Sequence, residues 1–242
     1  MISVCIATYN GEKYLREQVE SILGQLGEGD EIVISDDNSS DKTIDVLQAL
    51  GDARVRILHH DPSIVTTSFP LDKPTHNFEN ALKHAKGDII FLADQDDIWL
   101  PGKVEKMLAA LQNADMAMHD CIVVDSDLQV LSPSYFDIVG VSTNAWRNFF
   151  KCTLLGCCMA MRRCVLEKAL PFPKSRVGHD LWLGMVADRK FRFALVHVPL
   201  LKYRKHSSST TTAGQRSSNS LWFKLRYRMS VLRHLLKLIQ TR

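Results

Sequence analysis

The chain has 242 residues, 45% hydrophobic and 24% charged, with a net charge of +3, the ordinary balance of a soluble globular protein with a substantial core. No apolar run approaches the length of a membrane span, and Ile2-Ser3-Val4-Cys5-Ile6-Ala7 reads as an immediate strand rather than a signal peptide. Cys5, Cys121, Cys152, Cys157, Cys158 and Cys164 sit mostly in apolar surroundings without a C-x-x-C pair, so free buried thiols in a reducing compartment, the cytoplasm, are expected.

The net charge hides an asymmetry. Residues 202–242 hold ten Lys/Arg and no Asp/Glu, which leaves 20 basic against 27 acidic side chains in residues 1–201. A mildly acidic body with a basic tail suits an anionic surface as partner, membrane or nucleic acid.

In chain order, residues 2–7 predict a strand, and the spacing of Tyr14, Leu15, Val19, Ile22, Leu23 and Leu26 an amphipathic helix. Residues 31–35 predict a buried strand ending in Asp36-Asp37-Asn38-Ser39-Ser40-Asp41, an acidic turn that also caps a helix through Thr43, Val46, Leu47 and Leu50. A third strand covers 55–58, a long Pro/Thr/Ser-rich loop 59–75, and a helix 78–85. The run Asp88-Ile89-Ile90-Phe91-Leu92-Ala93 is a further buried strand. Such alternation implies βαβ units and a mainly parallel sheet. Beyond it come a helix at 102–111, strand-like pieces at 116–119 and 121–124 around an Asp125–Asp127 turn, and a helical stretch around Trp146-Phe149-Phe150. An apolar strand at 154–161, helices at 164–169 and 181–187, a late strand at 191–198 and a basic helix at 221–239 complete the reading.

The chemistry gathers at strand ends. Thr8-Tyr9-Asn10 follows the first strand, Asp36-Asp37 the second, and Asp94-Gln95-Asp96-Asp97 the strand at 88–93, and in a parallel sheet all three ends share one edge. Three carboxylates within four residues repel each other, a conflict that a divalent cation, Mg2+ or Mn2+, resolves while it carries a diphosphate. An isolated acidic turn or helix cap is the plainer reading of such a motif, but its neighbours favour the metal. No G-x-x-x-x-G-K-[ST] or G-x-G-x-x-G is present, so the pattern points to a nucleotide-diphospho compound used as a leaving group, not a redox dinucleotide.

The order of Cys5-Ile6-Ala7-Thr8-Tyr9-Asn10-Gly11, Val33 to Thr43, and Gly87 to Trp99 resembles family 2 glycosyltransferases of the GT-A fold. Asp-Gln-Asp-Asp followed by Trp99, Pro101 and Lys103 looks like the rhamnosyltransferase-like branch of bacterial surface-polysaccharide enzymes. The resemblance implies an α/β domain over 1–206, with a nucleotide-sugar-binding half at 1–114 and an acceptor-binding half at 115–206, then a mobile linker and basic amphipathic helix at 207–242. It implies that Thr8, Asp36 and Asp37 hold base and ribose, with Lys73 and Asn77 as further nucleotide contacts. Asp94 and Asp96 match the D-x-D motif, Asp96 as the firmer metal ligand, while Asp97 shapes the acceptor side or caps the turn. Asp180 matches the catalytic base, or simply caps the helix at Leu181. His179 would orient it or lie at the surface. His206, in Tyr203-Arg204-Lys205-His206, would ligate metal, and Arg204 or Lys205 would meet the diphosphate. Gly156 would let backbone approach a sugar or make a strand bulge, and Trp146 and Trp182 would stack on acceptor sugars or belong to the core.

The implied function is inverting, metal-dependent transfer from a UDP- or dTDP-sugar to a glycan acceptor, lipid-linked and used in surface polysaccharide. A non-catalytic nucleotide-sugar-binding subunit and a sugar nucleotidyltransferase are the alternatives. On the tail helix, Leu221, Leu225, Met229, Leu232, Leu236 and Ile239 form one stripe among Lys224, Arg226, Arg228, Arg233 and Lys237. That stripe would either pack on protein or lie on an anionic bilayer at the inner face of the cytoplasmic membrane. No nucleic-acid reader module accompanies the charge, so nucleic acid is not an expected partner.

Overall fold

In the computed structural model, residues 1–65, 67, 69–174, 176–205 and 221–240 are described. The first strand, β1 (Ile2–Thr8), is buried on both faces, and the chain then crosses through α1 (Leu15–Leu23) to β2 (Glu31–Asp36). A second crossover, α2 (Thr43–Gln48), leads to β3 (Val55–His59), each strand parallel to the one before. Helix α3 (Asp72–His84) packs on β1 and β2 and carries the chain back to β4 (Ile89–Asp94), which pairs with the opposite side of β1. Strand order therefore reverses between β1 and β4, the switch point at which α/β sheets open a crevice beyond the carboxyl ends. Val4, Ile6, Ile32, Ile34, Ile90 and Leu92 are fully buried, each contributing roughly 1.5–3 kcal/mol by leaving water.

After β5 (Ile98–Trp99) and α4 (Lys103–Ala110), strand β6 (Met116–Val124) is followed by the short β7 (Val130–Ser132). Helices α5 (Tyr135–Val139) and α6 (Ala145–Phe150) precede β8 (Met159–Arg162), α7 (Arg163–Ala169), α8 (His179–Lys190) and β9 (Phe193–Arg204). The sheet order is β3-β2-β1-β4-β8-β6-β9-β5, with β7 on β6. Strands β1, β2, β3, β4, β6 and β9 run the same way, and β8 is antiparallel to both of its neighbours, so the sheet is mainly parallel, as expected.

Several elements differ in extent from the sequence reading. Helix α3 starts at Asp72, well inside the expected loop, because Pro74 suits a first turn and the Asp72 carboxylate is held by the Arg176 amide and the Thr67 hydroxyl. The pieces at 116–119 and 121–124 form the single strand β6, with a register shift at His119/Asp120. Residues 156–158 make a 3-10 turn ahead of β8 instead of strand. Strand β9 runs on to Arg204 because β6 and β5 both pair with it, a tertiary gain that local propensity does not carry.

The last helix, α9 (Leu221–Gln240), packs against α6 and α8. Its inner face is Val231, Leu235 and Leu238, whereas Leu225, Met229 and Leu236 of the expected stripe are exposed, together with Trp222. The helix thus carries two apolar faces, one of them in contact with protein. No described helix is long and apolar enough to cross a membrane.

Candidate active site

The carboxyl ends of β1, β2 and β4 border a cleft of about 1740 Å3 that continues past the N-terminus of α8 to α6 and α9. Thr8 ends β1, and its buried hydroxyl donates to Gln95 Oε1 at 2.6 Å. The same oxygen accepts from the Tyr9 amide at 2.9 Å, while Gln95 Nε2 donates to the Tyr9 carbonyl at 3.2 Å. Gln95, unnoticed in the sequence apart from its acidic neighbours, therefore staples the loops after β1 and β4 together.

The two aspartates after β2 part ways. Asp36 turns back on its own loop, accepting from the Ser39 amide at 2.9 Å and the Ser39 hydroxyl at 2.5 Å, and does not line the cleft. Asp37 does line it, and its Oδ1 lies 2.6 Å from Nδ1 of His60, a buried histidine that no sequence signal singled out. Lys73 and Asn77, one turn apart on α3, also face the cleft. Asn77 Nδ2 donates to the Thr8 carbonyl at 3.1 Å, and its buried Oδ1 has no hydrogen-bond partner among the described residues.

Beyond β4 the acidic residues are sorted by burial. Asp94 and Asp96 line the cleft. Burial, with the charges of Asp96 and Asp180 nearby, pushes the Asp94 carboxyl up to about 7. Asp97 is fully buried and does not line the cleft. Burial and the neighbouring Asp96 and Asp94 hold it well above the usual carboxylate range, and its Oδ1 accepts from the Arg204 amide at 3.0 Å. An acceptor-side role for Asp97 is thereby corrected: it ties the turn to β9. Behind it lies Lys103, also fully buried, which donates to the Cys157 carbonyl at 2.9 Å and sits 4.1 Å over the Trp99 ring.

Asp94, Asp97 and Cys157 bring ligand atoms within 4.8 Å of one another. The Cys157 thiol is raised by burial and sealed inside with Asp97, which leaves Asp94 and Asp96 as the carboxylates of this turn that a metal in the cleft can meet. Their oxygens are hard donors, the chemistry of Mg2+ or Mn2+. The donor set fits such an ion. His206, the third expected ligand, lies outside the described residues.

Arg204 also lines the cleft, but its first task is structural. Its guanidinium is 4% exposed and donates to the Asp96 carbonyl at 2.8 Å, the Ser126 carbonyl at 3.1 Å and Glu17 at 2.7 Å, with its plane 4.5 Å over the Tyr14 ring. These bonds use three of its five N–H donors and hold the acidic turn in place.

Across the cleft, α8 opens with His179 and Asp180, both cleft-lining. Helix α8 starts earlier than expected, with Gly178 as its N-cap and no side-chain cap bond, so Asp180 lies inside the first turn, where its Oδ1 accepts from the Leu181 amide at 2.7 Å. Burial lowers the His179 imidazole below its ordinary value; its ring packs 4.2 Å from Phe78 and its amide donates to Thr75. Gly156 faces this pair so closely that an added Cβ would lie 2.8 Å from His179 Nε2. The glycine serves the approach of the turn to His179. Trp182 is corrected to a core residue: it is 7% exposed and donates to the Ala169 carbonyl at 2.8 Å, away from the cleft. Trp146 is exposed, packs edge-on against Phe149 and does not line the cleft either. The far wall is instead aromatic in a way the sequence did not announce: Phe69, Phe149, Phe150, Phe223 and Tyr227.

Known proteins resemble this chain in sequence and in fold. The sequence model described as Glycosyl transferase family 2 matches residues 3–170. An uncharacterized glycosyltransferase of Nostoc sp. is 29% identical over 194 residues, 75% of this chain and 56% of the relative, so the chain spans little more than half of that protein. UDP-Glc:alpha-D-GlcNAc-diphosphoundecaprenol beta-1,3-glucosyltransferase WfgD of Escherichia coli is 24% identical over 88% of this chain and 80% of its own length. The putative teichuronic acid biosynthesis glycosyltransferase TuaG of Bacillus subtilis is 24% identical over 92% and 86%. Among solved structures, S. aureus TarS 1–349 in complex with UDP-GlcNAc superposes with a TM-score of 0.69 at 19% identity, covering 98% of this chain and 70% of that one. The mannosyltransferase PcManGT of Pyrobaculum calidifontis, in complex with GDP-Man and Mn2+, gives 0.62 at 17% identity over 98% and 64%. These likenesses establish the GT-A fold, and the match over most of the chain settles its kinship: the protein belongs to glycosyl transferase family 2.

Proposed function

We propose that this enzyme transfers a hexosyl or deoxyhexosyl group, with inversion, from a UDP- or dTDP-sugar to a glycan acceptor carried on a lipid, for surface polysaccharide. The observation that carries the reading is one cleft bordered by Thr8, Asp37 and Asn77 at one end, Asp94 and Asp96 in the middle and Asp180 opposite. Asp37, steadied by His60, accepts a base N–H, and the free Asn77 Oδ1 offers a second acceptor to the nucleoside. Lys73, on the first turn of α3, meets the donor phosphates. Asp94 and Asp96 would hold Mg2+ or Mn2+, which would supply charge stabilisation to the departing diphosphate. Asp180 takes the proton of the acceptor hydroxyl at the oxygen that does not accept from the Leu181 amide, and His179 and Gly156 fix where that carboxylate stands. Names of similar proteins support the classes chosen: WfgD is named for UDP-Glc and a diphosphoundecaprenol-linked acceptor, and PcManGT was solved with Mn2+.

The enzyme works at the inner face of the cytoplasmic membrane, with residues 221–239 in peripheral contact. Exposed Trp222, Leu225, Met229 and Leu236 lie among Arg226, Arg228, Arg233 and Lys237, a composition that favours an anionic bilayer. A thermal-shift panel of UDP-, dTDP- and GDP-sugars with and without Mn2+ tests the core of the proposal. One nucleotide class stabilising the wild type only with metal, and failing to stabilise Asp96→Ala, is the expected result. Metal-independent stabilisation, or an Asp96→Ala response equal to wild type, would overturn the metal-site assignment.

A further inference from the structure

The cleft is larger than its donor needs. Sites for drug-sized ligands occupy roughly 300–1,000 Å3, and here about 1740 Å3 is continuous, so a second ligand has room beside the first. The part beyond Asp180 differs in character from the nucleotide end. Phe69, from the loop ahead of α3, stacks on Phe223 at 5.3 Å and on Tyr227 at 5.6 Å, residues one turn apart on α9. Phe149 and Phe150 of α6 form the adjoining wall, with Phe150 64% exposed. Arg228 stands at the rim, its guanidinium donating to the Phe150 carbonyl at 3.2 Å and otherwise exposed. Burial, with Cys152 and Asp180 adding to it, raises the Tyr227 phenol.

Flat apolar rings with a hydroxyl beside them suit the C–H face and hydroxyls of a sugar. Helix α9 brings five Lys/Arg and no Asp/Glu over residues 221–240, so whatever enters past it is favoured if anionic. Resting on the glycosyltransferase reading above, we infer that this end of the cleft is the acceptor subsite: the Phe69–Phe223–Tyr227 stack takes a sugar ring, and Arg228 meets a phosphate or diphosphate joined to that sugar. The C-terminal helix is thereby part of the binding site, and Arg228 selects acceptors that carry a phosphoryl linkage over neutral glycans. A guanidinium paired with a phosphate is a charge-assisted, geometrically specific contact, and losing it costs about tenfold or more in affinity.

The test uses the full chain, Mn2+ and the donor found in the thermal-shift panel. Acceptors are decyl glycosides of glucose, galactose, rhamnose and N-acetylglucosamine, each as the neutral glycoside and as the diphosphoryl-linked form. At least one diphosphoryl form is expected to be glycosylated with a KM about tenfold or more below that of its neutral counterpart. Arg228→Gln, at an exposed position, is expected to erase that preference, and Phe69→Leu and Tyr227→Leu to raise acceptor KM with donor KM within twofold. Equal use of neutral and diphosphoryl forms, a preference that survives Arg228→Gln, equal shifts in donor and acceptor KM, or donor hydrolysis by water with transfer to no member of the panel would each overturn the subsite. Failure of the wild type to bind or hydrolyse any nucleotide sugar is a separate outcome that removes the underlying function as well.

Discussion

Replacing Arg204 by Met keeps most of the side-chain volume and removes every donor. The loss falls on four partners of different worth. The carbonyls of Asp96 and Ser126 lose their donors at part-buried positions, at about 1–3 kcal/mol each. The stack on Tyr14 contributes roughly another 0.5–2 kcal/mol. Glu17 is 52% exposed and rehydrates on losing its ion pair, so that contact counts for about 0–1 kcal/mol. Relief of the desolvated guanidinium offsets part of the total, leaving a net loss of about 3 kcal/mol. For a chain of this length that lowers Tm by roughly 6–12 °C. Urea unfolding of Arg204→Met beside Glu17→Gln, with melts of both, is the assay. Because the turn bearing Asp96 is released, Mn2+-dependent donor binding should also weaken. The reasoning fails if Arg204→Met costs under about 1 kcal/mol, or if Glu17→Gln costs as much, since the ion pair rather than the turn would then be the point of attachment.

Three further outcomes are expected. Asp180→Asn should lower kcat by about 10²–10⁴ while donor binding stays within a few-fold, checked by steady-state kinetics and donor titration; wild-type turnover would remove the base assignment. In Gly156→Ala the new Cβ must displace His179, whose ring is backed by Phe78, so kcat should fall by about tenfold or more, and a variant with unchanged kcat and only a lower Tm would show that His179 does not position Asp180. For Glu31, burial alone would raise the carboxyl, but hydrogen bonds from Ser3, the Lys86 amide and Arg56 outweigh it and lower the value below 4.5. A depressed folded value gives stability that is present above about 4.5 and lost as pH falls, so the gap between wild type and Glu31→Gln in urea melts should shrink on going from pH 6 to pH 3. A gap that widens over that range would reverse the sign.

The N-terminal half was legible because its signals are periodic. Buried strands 31–36 and 89–94 announce themselves as short apolar runs, and a residue at a strand's carboxyl end is placed by topology alone. What a turn does with successive residues has no such period. Asp94, Asp96 and Asp97 look equivalent in sequence, yet the turn sends Asp97 inward to the Arg204 amide and leaves the other two facing the cleft. Asp36 and Asp37 part for the same reason, since Ser39 claims one carboxylate and His60 the other. The aromatic wall was hidden by distance: Phe69 and Phe223 are isolated residues of unremarkable segments until tertiary packing stacks them. On α9, two helical stripes overlap in the sequence, and only the partner surfaces of α6 and α8 decide that Val231, Leu235 and Leu238 are the buried one.

The direction of β8 has a consequence for how many loops can reach the chemistry. Were every strand parallel, only the connections leaving strands would arrive at the edge where β4 ends. Because β8 runs the other way beside β4, the connection entering it arrives there too, and it delivers Gly156 opposite His179 and Asp180. One face of the cleft is thus written in segments that follow their strands and the other in a segment that precedes its strand. The two belong to separate stretches of chain, so the segment leading into Gly156 and the turns after β1, β2 and β4 can vary independently, except where Gly156 itself must stay small beside His179.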